Sequence, residues 1–330
     1  MPGDCHWVAL ALFGSRYASN RVYQFLKRGR GRGCGANRWS LVDYAAGGAV
    51  AEAVIARKDD DIVLITIPEA VRDGEADLGF TPIAELDLSA QAYTLLKSGT
   101  EATAIFAAAI EEWKLLIASQ LSGLSRQALK LAAEYACERK QFGQLIGAYQ
   151  AISHPLADCL CEIDTGKLLL WKALRDIADK TPEAGSLVSL TSWWNSKIAG
   201  NVVTRALHTF GGYGLTTEYD IHLYNLRAKS LPLILGDPAD ILEEAGRRRY
   251  GGETPALPDV GDVPIDFDLG EDAVAIQGEI RAFFEKNITE EMREKFHYSW
   301  EGYNPEINKM LSENNLLYLA MPKELGGRGL

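Results

Sequence analysis

The stretch between residues 135 and 152 places a basic side chain, an aromatic ring and a glycine between two helical patterns. Its sequence is YACERKQFGQLIGAYQAI, in which Arg139, Phe142 and Gly143 follow one another closely. A guanidinium group and a ring fixed at the tip of a helical hairpin raise the question of which ligand they contact. Charges near a helix end are also commonly a solvated face, and glycine is a common C-cap. This second interpretation therefore stays open on the local pattern.

A glycine-rich stretch near the N-terminus suggests a different chemistry, the binding of phosphate by backbone amides. The sequence KRGRGRGCGANR, residues 27–38, contains Gly-x-Gly spacing. A phosphate-binding loop needs a strand before it and a capped helix after it, and neither pattern is present here. We therefore interpret residues 1–40 as an atypical segment, either a flexible basic tail or a mistaken start of the reading frame.

The composition and charge limit the classes of protein to which the chain can belong. With 47% hydrophobic and 24% charged residues among 330, it is ordinary for a soluble globular protein. A net charge of -11 argues against a nucleic-acid-binding protein. The five cysteines lack metal-site spacing, and we expect Cys159 and Cys161 to be free, buried thiols. The apolar run Val8–Gly14 is too short to span a membrane and lacks the flanks of a signal peptide. We expect a reduced, cytoplasmic protein that binds no metal, nucleic acid or membrane.

Apolar periodicity divides the rest of the chain into segments. Short apolar runs in residues 41–98 predict part of a small antiparallel β domain. Residues 99–250 show helical periodicity up to Gly143 and again over about 151–178, 187–209 and 237–249, which predicts an antiparallel four-helix bundle. Residues 251–264 have the composition of a linker, and residues 265–330 contain two further amphipathic helices. The predicted fold class is mainly α.

Two stretches of the helical segment resemble motifs of the C-terminal helical domain of acyl-CoA dehydrogenases. YACERKQFGQLIGAYQAISHPLAD resembles the family's Tyr-Ala-x-Glu-Arg-x-x-Phe-Gly run with Gln-x-Ile and Leu-Ala-Asp after it. HTFGGYGLTTEY resembles the Gly-Gly-x-Gly loop that precedes Glu-Tyr. LVDYAAGGAVAEAVIAR is similar to the second half of the family's middle β domain. IDFDLGEDAVAIQGEIRAFFEKN and LLYLAMPKELGGRGL are similar to the start of its N-terminal helical domain.

The order of these stretches is unusual, because the end of one dehydrogenase precedes the beginning of another. We therefore expect the chain to be a piece across the junction of two fused copies, cut at both sides. Residues 41–98 would be a partial middle β domain, residues 99–250 the bundle and residues 265–330 the start of the second copy.

The resemblance implies an FAD site at a subunit interface. It implies that Arg139 forms paired hydrogen bonds with the FAD pyrophosphate of a partner subunit, and that Gln141 and Phe142 line the adenosine end. His208 stands where the family usually has a glutamine that contacts FAD, and an imidazole can still donate a hydrogen bond. The remaining residues implied are glycines, whose lack of a Cβ lets backbone N–H groups approach phosphate: Gly211, Gly212 and Gly214.

The resemblance also implies α,β-dehydrogenation of an acyl-CoA thioester, for which a desolvated carboxylate removes the α-proton. Leu235 stands at the usual position of that glutamate, and Asp237 is displaced from it by two residues. Some members place the base at the start of the first bundle helix, where Trp113 aligns and Glu112 precedes it. Glu112 and Asp237 are therefore the candidate bases. Acidic residues in a first helical turn also stabilise the helix dipole and need no other role.

Two further residues match an acidic and a basic residue that the family uses near CoA, which makes Glu111 and Lys114 candidate substrate contacts. The implied partners are acyl-CoA, a second acyl-CoA dehydrogenase copy or an identical chain, and an electron-transfer flavoprotein or similar acceptor. The loss of the usual base leaves two interpretations, a flavin-contacting half of a dehydrogenase and a degenerate assembly partner that binds no flavin. The presence of Arg139, Phe142 and the glycine loop together favours the first.

Overall fold

The computed structural model describes residues 7–11, 24–26, 42–46, 49, 51–71, 74–75, 83–87, 92–268, 270–297 and 304–329. The chain divides into two compact units, Met1–Ile265 and Asp266–Leu330. The stretch 27–38, for which a basic tail was predicted, lies outside the described residues. Within the described part of the chain, no helix is long and apolar enough to cross a membrane.

The first unit begins with antiparallel β structure. The strands are β1 (Trp7–Ala11), β2 (Gln24–Leu26), β3 (Val42–Ala46), β4 (Ala53–Lys58), β5 (Asp61–Thr66), β6 (Gly74–Glu75), β7 (Ile83–Asp87) and β8 (Tyr93–Ser98). They form two sheets, in the orders β2-β1-β4-β5-β8 and β3-β7-β6. Alternating apolar residues such as Val54, Val63 and Ile65 bury one face of the larger sheet. The predicted antiparallel sheet is confirmed, and β1 and β2 lie in the segment that sequence patterns had left without structure.

Helices follow the β structure in this unit. They are α1 (Thr100–Glu138), α2 (Gln150–Ala178), α3 (Ala184–Phe210), α4 (Ile221–Ser230) and α5 (Pro238–Tyr250). Two short strands, β9 (Lys140–Gln141) and β10 (Gln144–Leu145), join α1 to α2. Contacts of α1 with α2 and α3, and of α3 with α5, form the predicted bundle. The first helix ends five residues before Gly143 because the chain enters this β-hairpin, and α4 was not predicted as a helix.

The apolar faces of the helices set their orientation in the bundle. Leu121, Ala128 and Ala132 of α1 are buried against Ala199 and Val203 of α3, as the periodicity predicted.

The orientation of α2 differs from the prediction at two positions. Cys159 and Ile163 point inward, and each residue along a helix is rotated by about 100° from the one before. Leu160 is consequently 44% exposed, although the apolar periodicity of residues 151–178 predicts that it faces inward with Leu156 and Ile163. Cys161 is likewise exposed, so its predicted burial is wrong, whereas Cys159 is a free, buried thiol as expected.

Residues 252–265, called the strap below, fold back against the bundle. Leu257 and Val260 pack on a buried cluster that includes Leu170 and Val188. The guanidinium of Arg175 donates to two strap carbonyl oxygens, those of Val263 and Ile265, each at 3.4 Å. A segment with the composition of a linker thus packs on the bundle at several positions.

The described residues of the second unit form the helices α6 (Glu271–Asn287), α7 (Glu290–His297) and α8 (Pro305–Glu313). Phe283 of α6 is buried. The side chain of Asn304 caps α8 by accepting hydrogen bonds from the N–H groups of Glu306 and Ile307. An ion pair of 2.7 Å joins Arg328 to Glu279. The assignment of this unit to a second dehydrogenase copy stays a prediction.

We expect alanine substitution at two glycines of α3 to change stability in opposite directions, because the strap packs against only one of them. A Cβ at Gly185 would lie 2.7 Å from two ring carbons of Pro255, whereas a Cβ at Gly200 would meet no atom within 4 Å. We expect Gly185→Ala to lower the free energy of unfolding by about 1–3 kcal/mol, because the strap must shift. Gly200→Ala should raise it by about 0.5–1 kcal/mol through helix propensity. Urea denaturation measures both, and a stabilising Gly185→Ala would show that the strap does not pack on α3.

Candidate functional site

The tip of the β9–β10 hairpin combines backbone strain with an exposed aromatic ring. Phe142 and Gly143 form the two-residue turn, with φ angles of +53° and +86°. Such turns favour Asn-Gly, because positive φ is unfavourable for a residue with a bulky side chain. The ring of Phe142 is nevertheless 95% exposed and covers no apolar surface of its own chain. An exposed ring on a strained backbone indicates a contact outside the chain.

A cleft of about 760 Å³ lies beside this hairpin, between the end of α1, the start of α2 and the end of α3. The hairpin is held in place by the N–H of Ile146, which donates to the carbonyl oxygen of Arg139 at 2.9 Å. The hydroxyl of Tyr149 donates to the carbonyl oxygen of Gln141 at 3.1 Å. Five of the seven residues predicted to bind a cofactor line the cleft together: Arg139, Gln141, Phe142, Gly211 and Gly212.

Arg139 is the cation of the cleft. It follows α1 directly, and its backbone N–H donates to the carbonyl oxygen of Tyr135 and so caps the helix. Its side chain is exposed, and no carboxylate of the described residues lies within ion-pair distance. The guanidinium carbon lies 5.7 Å from the centre of the Tyr213 ring. The charge is therefore available to an anionic ligand.

The three predicted glycines have two different roles. Gly211 has φ +60° and ψ −134°, a conformation that requires glycine, and a Cβ there or at Gly212 would meet no atom within 4 Å. The space in front of these two residues is open. Gly214 is buried, and its Cβ would lie 2.6 Å from the carbonyl oxygen of Leu207. Close packing within the chain therefore requires glycine at position 214, and the approach of its backbone to phosphate stays a prediction.

Stacked aromatic rings form the floor of the cleft, and sequence reasoning missed them. Tyr135 stacks on Phe210 with a centroid distance of 4.4 Å, and Tyr219 lies 5.7 Å from Tyr135 and 5.1 Å from Phe210. Burial raises the pKa of the Tyr135 hydroxyl, although the charge of Arg139 partly offsets this rise. The aromatic residues of YACER and FGGYG were the signal available in the sequence.

His208 lies apart from the cleft, although it was predicted to contact the same cofactor. It is exposed in a groove of about 530 Å³ between α2 and α3, together with Asp158, Glu162 and Arg205. His208 precedes Phe210 by two residues, and a helical step of that size turns the side chain to another face. A contact of His208 with the ligand of the cleft thus stays a prediction.

The two positions aligned with a catalytic base are both apolar and both buried in one hydrophobic cluster. Leu235 is 3% exposed and Trp113 is 7% exposed. The neighbouring carboxylates are exposed to solvent. Asp237 caps α5, since its side chain accepts a hydrogen bond of 2.9 Å from the N–H of Ala239. Glu112 lies on the outer face of α1. Neither carboxylate is therefore desolvated in this chain.

Glu111 and Lys114, the candidate substrate contacts, lie inside the bundle at 4% and 2% exposure. Lys114 pairs with Glu111 at 2.8 Å and also with Glu244. The guanidinium of Arg248 donates to both carboxylate oxygens of Glu111 at 2.7 and 2.8 Å, and to Ser189 Oγ at 2.7 Å. Burial lowers the pKa of Arg248, but the hydrogen bonds and charges of Glu111 and Glu244 outweigh it and raise the pKa. Glu111 and Lys114 therefore join α1 to α5 inside the bundle, and their contact with substrate stays a prediction.

Removing one member of this cluster should cost far more than removing a surface charge. We expect Lys114→Met to lower the free energy of unfolding by about 3–5 kcal/mol, because it leaves an uncompensated buried carboxylate. The control is Lys130→Met on the same helix, whose ion pair with Glu134 is exposed and 3.8 Å long. It should change stability by less than about 1 kcal/mol. Urea denaturation of both variants measures the difference, and equal losses would contradict a buried role for Lys114.

The thiol of Cys159 should resist alkylation while Cys137 and Cys161 react. Burial, together with the charges of Glu162 and Asp158, raises the pKa of Cys159 to about 11 from an ordinary 9.0. Between these two values the folded chain holds the proton more tightly than the unfolded chain, so stability falls as the pH rises through that window. Iodoacetamide at pH 8, followed by peptide mass spectrometry, should label Cys137 and Cys161 first. Equal labelling of Cys159 would contradict its burial.

Comparison with known proteins connects this geometry with one family. The profile of the acyl-CoA dehydrogenase C-terminal domain matches residues 103–248. The caffeyl-CoA reductase-Etf complex subunit CarC of Acetobacterium woodii is 35% identical over 108 residues, which are 33% of this chain and 28% of the relative. Acyl-CoA dehydrogenase IpdE2 of Mycobacterium tuberculosis is 26% identical over 61% of this chain and 58% of its own length. The chain thus spans less than two thirds of either relative.

A solved structure shows a similar fold. It is a glutaryl-CoA dehydrogenase of Mycobacterium smegmatis in complex with FADH2, with a TM-score of 0.51 and 23% sequence identity. The similarity covers 63% of this chain and 56% of that one.

Proposed function

We propose that the chain belongs to the acyl-CoA dehydrogenase family, whose C-terminal domain profile matches residues 103–248, and that it serves FAD-dependent α,β-dehydrogenation of an acyl-CoA thioester. In this proposal the chain supplies mainly flavin-contacting and oligomer-forming surfaces. The observation that carries the proposal is the cleft in which Arg139, Phe142 and the Gly211–Gly212 turn lie together.

The residues of the cleft fit the pyrophosphate and adenosine of FAD. Arg139 is exposed beside open space in front of Gly211 and Gly212, and an anion can approach it there. The remainder of the lining is predominantly aromatic and aliphatic, which suits an adenine ring. The volume of about 760 Å³ is that of a small-molecule site.

Each residue has a defined part in this proposal. Arg139 donates paired hydrogen bonds to the pyrophosphate, and the amides near Gly211 and Gly212 approach the same anion. Phe142 covers the adenosine end, with Gln141 beside it. Bound FAD would supply the hydride acceptor of the reaction. The chain's own contribution is to bind and orient the cofactor.

The proton-abstracting base, in contrast, is proposed to come from another chain or copy. Leucine and tryptophan cannot accept the α-proton, and Leu235 and Trp113 are buried in the positions that align with the base. The exposed carboxylates Glu112 and Asp237 remain the candidates within this chain. The proposed partners are therefore a second acyl-CoA dehydrogenase copy or an identical chain, and an electron-transfer flavoprotein or similar acceptor. The relative CarC is named as a subunit of a caffeyl-CoA reductase-Etf complex.

A second candidate function is a degenerate assembly partner that binds no flavin. The apolar residues at both base positions and the separation of His208 from the cleft favour it. The strained and exposed Phe142 favours the first function, because a ring that covers nothing in its own chain is a cost to the fold without an external contact.

The visible absorption spectrum of the purified chain with added FAD separates these functions. We expect a flavin band that survives gel filtration, and a dissociation constant that Arg139→Ala raises roughly ten- to a hundredfold, since a charged hydrogen bond is lost. Arg126→Ala is the matched control, because it removes the same charge from an exposed pair with Asp164. Absence of the band, or equal effects of both variants, would support the degenerate partner.

Turnover with acyl-CoA tests the assignment of the base. We expect the chain alone to show no reduction of an artificial electron acceptor above the blank, because the two aligned positions carry no carboxylate. Steady reduction would refute this expectation. Glu112→Gln and Asp237→Asn would then identify which carboxylate acts.

A further inference from the structure

We infer that Tyr213 is a positioning residue that holds the Arg139 guanidinium over the cleft, ready for an anionic ligand. The inference rests on the proposed function, in which Arg139 binds the pyrophosphate of FAD. Both side chains line the cleft, and the guanidinium carbon lies 5.7 Å from the centre of the tyrosine ring. This distance is within the range in which a cation is attracted by the face of an aromatic ring.

Arg139 needs a positioning group because its other restraints are few. Its backbone is fixed by the hydrogen bond from its N–H to Tyr135, but the side chain extends into solvent. In the described part of the chain no carboxylate pairs with it. A long side chain loses considerable rotamer entropy when a ligand immobilises it. A ring that restricts the guanidinium beforehand reduces that loss on binding.

Tyr213 is itself held firmly enough to act in this way. Its carbonyl oxygen accepts hydrogen bonds from the N–H of Thr216 at 3.2 Å and from the Thr216 hydroxyl at 3.0 Å. The next residue, Gly214, packs directly on the carbonyl of Leu207 at the end of α3. The turn that carries Tyr213 is thereby joined to the bundle.

The ring of Tyr213 is also braced by its aromatic neighbours. It meets the ring of Tyr219 edge to face at 5.7 Å. Tyr219 in turn contacts Phe210 and Tyr135, which stack on each other. Tyr135 precedes Arg139 by one helical turn on α1, so the chain of rings returns to the helix that carries the guanidinium. This closed arrangement fixes the ring relative to the start of the arginine side chain.

The first test observes the Arg139 side chain by NMR and needs no cofactor. In the full chain labelled with ¹⁵N, the Nε–Hε signal of Arg139 is identified by its loss in Arg139→Ala. We expect this signal to carry an upfield ring-current shift and a restricted heteronuclear NOE. Tyr213→Leu should remove both, and Tyr213→Phe should retain both because the ring remains. An Arg139 signal that is unchanged in Tyr213→Leu overturns the inference.

The second test measures FAD affinity in a double-mutant cycle. Tyr213→Leu should raise the dissociation constant about two- to fivefold, the range of an exposed cation–π contact, and Tyr213→Phe should leave it near the starting value. In the Arg139→Ala background, Tyr213→Leu should have no further effect. An equal effect in both backgrounds overturns the inference, since Tyr213 would then act on the ligand directly. If the unsubstituted chain binds no FAD, the proposed function fails and the NMR experiment alone decides the role of Tyr213.

Discussion

The buried ion cluster of Glu111, Lys114, Glu244 and Arg248 is the constraint on which the rest of the bundle depends. Charged groups in a protein interior are tolerated only while they remain paired, so α1 and α5 cannot slide past each other. Arg248 also donates to the Gly185 carbonyl and the Ser189 hydroxyl, which includes α3 in the same arrangement. The cluster lies roughly 40 Å along α1 from Arg139, by the rise of 1.5 Å per helical residue. A fixed register at one end of the bundle therefore determines which residues meet at the cleft on the other.

Local signals made part of this structure predictable. The turn at Gly211 has a short-range sequence signature, and a regular apolar stripe specified the inner face of α1. Sequence patterns did not predict the structural features that depend on packing between distant elements. The buried ion cluster was missed because nothing local shows that Arg248 lies opposite Glu111. Leu160 was misassigned for a related reason, since one step in helical register moves a side chain to another face.

In the proposed function, the bundle binds a cofactor while proton removal depends on a residue outside it. The cleft retains a cation, an exposed ring and open glycines, whereas Leu235 and Trp113 add apolar surface to the core. Burial of two apolar side chains at these positions favours folding by a few kcal/mol, and a desolvated carboxylate there would oppose it. Leu235 and Trp113, which cannot act as a base, therefore increase the stability of the fold.

The Phe142 turn also bears on the mutational tolerance of the chain. The ring contributes almost no buried area to its own fold, and its positive φ is relieved by glycine or asparagine. Selection for thermostability alone would therefore replace it. A deep mutational scan scored for abundance and one scored for complex formation should consequently rank this position in opposite order. Such a reversal would show that the residue contributes to binding another molecule and not to the stability of its own fold.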